Sequence, residues 1–173
     1  DGLDVAFEIL HMRLYSDGLD RREHDPELLE AGRELLYRLT LLHGNEHDDP
    51  HHAEVASACL VGSDGGPLAA KVASRLRAAV AAHETNSYDN SGLLQALLGV
   101  QPVAVLNALF PSEEDEQRAG LRLFERLVDH VANPADAIST EALIAWCEGD
   151  REHRYPLAAS TITFSRCPDN GGP

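Results

Sequence analysis

Aromatic side chains make up only 5% of the 173 residues. A core built around stacked rings is therefore excluded, and the interior must come from Leu, Val and Ala, which suit closely packed helices. No segment alternates apolar and polar residues strictly, so the signal of a half-buried strand is missing. Cysteine occurs only at Cys59, Cys147 and Cys167, an odd number without a CxxC pair. That suggests neither a disulfide framework nor a four-cysteine zinc site, and it fits a reducing cytoplasm. Cys59 and Cys147 both lie in apolar helical stretches and read as inert buried thiols. A secretory leader is not apparent, since no charged segment precedes an apolar run and a cleavage site. No serine sits in a G-x-S-x-G turn, and the glycines from Gly62 to Gly66 form neither GxGxxG nor a P-loop. Nucleophilic catalysis and phosphate cradling thus lack their signatures.

Basic charge is also scarce, with 14 Lys and Arg against 29 Asp and Glu and a formal charge of -15. Such a chain repels a phosphate backbone, so nucleic acid is disfavoured and a basic protein partner is favoured. One small basic group, Lys71, Arg75 and Arg77, reads as a solvated face pairing with acidic neighbours. Lysine occurs once and arginine thirteen times among abundant alanine, the composition of a GC-rich bacterial source. The chain opens on Asp1-Gly2 with an apolar periodicity from Leu3, and it is expected to start inside a larger protein. Residues 167–173 hold turn and breaker residues and are expected to fray, leaving 1–166 as one domain.

What is present is a series of helix starts: Asp25-Pro26, Asp49-Pro50, Ser91, Ser112, Asn133-Pro134 and Ser139. In each, a short polar side chain can accept from the unpaired amides of a first turn, and a proline just inside loses no bond. A first helix over residues 3 to 15 carries Leu3, Phe7, Leu10 and Leu14 on one face, with Val5, Ile9 and Met12 beside it. That stripe is wide enough for two neighbours. Pro26 to His43 forms a second, lined by Leu28, Leu35, Leu39 and Leu42 with Leu29 and Leu36 on the edge. A third runs from Pro50 to Val61 and a fourth from Pro67 to His83, with Leu68, Val72, Leu76 and Val80 inward.

Residues 93 to 110, LLQALLGVQPVAVLNALF, are the most apolar stretch. Gly99 and Pro102 cut it into a buried helical hairpin, and Gln95, Gln101 and Asn107 argue against a membrane span, which needs about twenty uninterrupted apolar residues. Ser112 resembles the start of a capping box opening a long helix to Ala132, with Leu121, Phe124, Leu127, Val128 and Val131 inward. A shorter helix after Ser139 carries Leu143, Ile144, Trp146 and Cys147, with Trp146 in the core and Arg154 placed to bridge to Glu148 or Asp150. Tyr155-Pro156 opens a final helix through Phe164, where the β-branched run STITF also suits a strand. The sum is an all-α fold of eight or nine helices in stacked antiparallel hairpins, and a HEAT-like α-solenoid fits better than a closed bundle.

The cluster that invites chemistry is HGNEHDDPHHAE, residues 43 to 54. His43, His47, His51 and His52 are candidate ligands for zinc, nickel or iron. Their spacing opposes a preformed site, because Gly44 and Asn45 interrupt the helix between the first two and adjacent histidines point about 100° apart. A solvated loop is the favoured reading, with a metal-dependent enzyme or metal sensor as its rival; no cofactor is expected.

The order GVQPVAVLNALF, a long amphipathic helix, then ISTEALIAWCEGDREHRYPLAASTITF is similar to helical C-terminal regions of large bacterial multidomain proteins, some of them signal-transducing NTPases with defence roles. The resemblance covers residues 100 to 166 and carries over no catalytic residue. It implies a sensor or scaffold segment. The expectation is a non-enzymatic helical module that binds a protein partner; the first helix pairing with a second copy is the third candidate.

Overall fold

The computed structural model describes residues 2–15, 26–42, 50–82, 91–130, 138–152, 154–155 and 157–158. Among these, regular structure is entirely helical. The elements are α1 (Gly2–Tyr15), α2 (Pro26–Leu42), α3 (Pro50–Cys59), α4 (Gly65–Ala81), α5 (Ser91–Val100), α6 (Pro102–Leu109), α7 (Glu114–His130) and α8 (Thr140–Glu148). Residues 151, 152, 154, 155, 157 and 158 are helical as well, so this last stretch begins before Tyr155-Pro156 rather than at it. The expected Asn133-Pro134 start and the STITF run lie outside the described residues.

Local rules account for most of the boundaries. Pro26, Pro50 and Pro102 each stand at the first helical position, where the missing amide would have had no partner. Ser139 caps α8, its Oγ accepting from Ala142 N at 3.2 Å. Two starts differ from expectation. α4 begins at Gly65, two residues before Pro67, because the turn from α3 closes on Gly62 at φ +86, with Gly65 N donating to Gly62 O at 3.3 Å. α7 begins at Glu114 and its first turn closes on Glu113, whose carbonyl accepts from Gln117 N at 3.0 Å. Ser112 is therefore not its cap. The Gln117 side chain turns back to Pro111 O, 2.6 Å away.

Packing advances along the chain in two rows. The odd helices touch in the order α1, α3, α5, α7 and the even ones in the order α2, α4, α6, α8, while α1–α2, α2–α3, α4–α5, α5–α6, α6–α7 and the more distant pair α4–α7 join the rows. The apolar hairpin α5–α6 sits at the centre, with Leu93, Leu94, Leu97, Leu98, Val105, Leu106 and Leu109 all buried. Burying a side chain of this size contributes about 1.5–3 kcal/mol, which is why this segment anchors the core. α4 adds Val72, Leu76 and Val80 with Ala69 and Ala73.

Two inner faces are rotated from expectation. In α2 the fully buried leucine is Leu36, and Leu28 and Leu35 are only half-buried. Gly32 explains the rotation: a Cβ there would overlap Cys59 Sγ and come within 3.4 Å of Leu10 Cδ2, so the seam follows the bare backbone at 32 and the side chain one turn on. In α7 the buried positions are Ala119, Leu123, Phe124 and Leu127, and Leu121 is half-buried. Here Gly120 lies against Leu109, whose carbonyl a Cβ would overlap. The side chains of Leu39, Leu42 and Val128, and residue Val131, fall outside what is described.

The ends of the helices are held by arginine. The last carbonyls of a helix have no amide of their own to accept from. At α3, Cys59 O accepts from Arg33 Nε at 2.8 Å, and Gln101 Nε2 donates to Leu60 O at 2.7 Å and Gly62 O at 2.5 Å. At α6, Ala108 O accepts from Arg77 Nη1, whose other arm pairs with Glu116 Oε2 at 2.6 Å. Arg77 is thus a half-buried link between α4, α6 and α7, not part of a solvated face. Arg75 and Lys71 lie 4.0 and 6.0 Å from the Tyr37 ring centroid, and Arg75 also donates to Tyr37 O at 3.3 Å. A cation at a helix C-terminus also meets the negative end of the dipole. Because an ammonium cannot serve both Ala108 O and Glu116 with the planar fork of a guanidinium, Arg77→Lys is expected to cost about 1–3 kcal/mol, measured by urea unfolding at constant net charge.

Candidate functional site

The histidine cluster does not assemble into a site among the described residues. His43 and His47 lie outside them, His51 is placed only by its position on α3, and His52 is half-buried on the same helix. No group of three His, Cys, Asp or Glu side chains is close enough to share a metal among the described residues. At the start of α7, Glu113 and Glu116 are exposed, and Glu116 answers Arg77.

Two other features stand out. The first is α1, whose two sides are both apolar. Leu10 and Leu14 are buried against α2 and α3, and His11 Nε2 meets Glu54 Oε2 of α3. On the far side Val5, Ile9 and Met12 are 59%, 50% and 55% exposed. These three fall at i, i+4 and i+7, one continuous helical face. Of the wide stripe read in the sequence, Leu10 and Leu14 are covered and Val5, Ile9 and Met12 are not, among the described residues; the side chains of Leu3 and Phe7 fall outside them.

The second is a cleft of about 300 Å³ where α6, the start of α7, α8, Arg154 and Leu157 meet. Its floor is Trp146, 1% exposed, whose indole Nε1 donates to Asn107 Oδ1 at 3.1 Å. Phe110 leans on that indole at 5.7 Å between centroids and on Phe124 at 6.1 Å. Arg154 lies over the other part of the ring, 5.3 Å from its centroid, and Nη1 donates to Trp146 O at 2.8 Å. This is the third arginine at a helix end. Gly149 makes room for it, since a Cβ there would press on Nη1. Of the two carboxylates expected to meet Arg154, Glu148 or Asp150, Glu148 is held by Arg151 and by Tyr155 Oη at 3.1 Å. Arg151 first and Tyr155 second keep the Glu148 carboxyl below its ordinary value, and the same bond raises Tyr155.

Buried chemistry elsewhere is quiet. Cys59 is fully buried and Cys147 is 2% exposed. Burial pushes the Cys59 thiol up to about 11 against a partial opposing pull from Arg33, and burial raises Cys147 as well. Neither is poised as a nucleophile. Cys167 lies outside the described residues. The arginine caps and the Gly32 contact could not be read from the sequence; the spare face of α1 could, from apolar residues on more than one side of a single helix. No described helix is long and apolar enough to cross a membrane. Compared with family models, curated proteins and solved structures, the chain matches none.

Two outcomes are expected. Asn107→Ala leaves a buried indole N–H without its acceptor and is expected to lower stability by about 1–3 kcal/mol, with the Trp146 emission shifting on the folded protein. Folding holds the Cys59 thiol protonated to higher pH than the unfolded chain does, so its stabilising contribution is complete below the ordinary value of 9.0 and fades as pH rises toward about 11. Unfolding free energy measured between those limits should fall with pH, and a Cys59→Ala variant should lose that part of the slope.

Proposed function

We propose that this chain is a non-enzymatic helical module that docks a protein partner on the free face of α1. The observation that carries this reading is the row Val5, Ile9 and Met12, each at least half exposed. Side chains at i, i+4 and i+7 are the pattern by which one amphipathic helix meets another surface. The charge of -15 opposes pairing with a second copy and attracts a partner helix flanked by Lys and Arg. Helices that pack onto their second neighbours in two rows accord with a HEAT-like stack. In this reading the chain is one arm of a larger machine whose chemistry is carried by other domains.

The test compares wild type with Ile9→Asp as bait in an extract of the source cells, alongside sedimentation of the purified protein. Surface changes of this kind leave stability within about 0.5 kcal/mol, so both baits remain folded. The expected result is a monomer in sedimentation and a partner retained by wild type, lost on Ile9→Asp and weakened by salt. Equal retention by both baits, or wild-type self-association abolished by Ile9→Asp, would overturn it.

A further inference from the structure

We propose that the cleft between α6, α7 and α8 binds a small zwitterion of the α-amino acid class with an apolar side chain. Its walls carry the three chemistries such a molecule needs. Arg154 brings a fixed positive charge, oriented by Trp146 O and by the ring beneath it. A planar guanidinium matches a carboxylate. Asp150 lines the same cleft and, besides the contact it already makes, adds a negative charge that an ammonium group can share. Phe110, Pro111 and Leu157 add apolar lining. Asn107 and Ser112 add polar groups at its edge. The volume of about 300 Å³ lies at the small end of the range for ligand sites. A ligand with net charge zero also enters without opposing the overall charge of -15, as a simple organic anion would. This site is remote in sequence from the face of α1 and stands or falls independently of it.

Trp146 is the only tryptophan in the chain and forms the cleft floor, so its fluorescence reports occupancy directly. The full chain is titrated with leucine, with N-acetyl-leucine, which lacks the ammonium, and with isoamylamine, which lacks the carboxylate. Leucine is expected to give a saturable change, with each half-ligand at least about tenfold weaker, a difference of about 1.4 kcal/mol. Asp150→Asn is expected to weaken leucine by a similar factor and leave N-acetyl-leucine unchanged. Arg154→Gln also removes a helix cap, so the ligand series on the wild-type protein decides the matter if that variant unfolds. The absence of a saturable response to leucine up to about 50 mM, a limit weaker than millimolar binding, would overturn the proposal. So would equal responses to all three ligands, or an Asp150→Asn variant that binds leucine as wild type does.

Discussion

Near the ends of three described helices a carbonyl accepts from an arginine guanidinium, at α8 alongside the backbone amide of Gly149. Arg33 serves α3, Arg77 serves α6 and Arg154 serves α8. These contacts set where the helices stop and how neighbouring turns sit against one another. They also give a physical role to the bias toward arginine: one planar group can donate to a carbonyl and a carboxylate at once, as Arg77 does with Ala108 and Glu116. The side chains are mostly removed from water, with Arg33 18% and Arg77 13% exposed. Bonds of this charged kind are stronger than neutral ones and cost more when broken, because the carbonyl is left buried.

Around these fixed ends the core can be made of small parts. Few aromatic residues are needed because helices come close: Gly32 admits Cys59, and Gly120 admits Leu109. Helices pack onto those two places later in the chain, and the side chains they bury join into one core cluster. The first helix has fewer neighbours than its apolar surface can use, and Val5, Ile9 and Met12 are left to water.

Helix identity was legible because its signals are local. Proline at a first position, Ser139 before α8 and the Gly99/Pro102 break all act within one or two turns, and each corresponds to an observed feature. Facing was less legible. Leu36 rather than Leu35 and Leu123 rather than Leu121 are buried, because glycines far apart in sequence decide which side of a helix a neighbour can approach. The role of Ser112 was misread for a similar reason: Glu113 closes the first turn of α7 and Gln117 returns to Pro111. At the cleft, the burial of Trp146 followed from its apolar neighbours, but the seat of Arg154 required the bare backbone of Gly149 and the carbonyl of Trp146. No spacing rule encodes the fit of a guanidinium against a bare backbone.

The most direct test replaces Arg33, Arg77 and Arg154 together by lysine and measures urea unfolding. Net charge is preserved, so only the guanidinium geometry is removed. The sites are separate and their costs should nearly add, giving a loss of roughly 3–6 kcal/mol at about 1–2 kcal/mol per charged bond. A triple variant within about 1 kcal/mol of wild type, a small fraction of a domain's stability, would contradict the account.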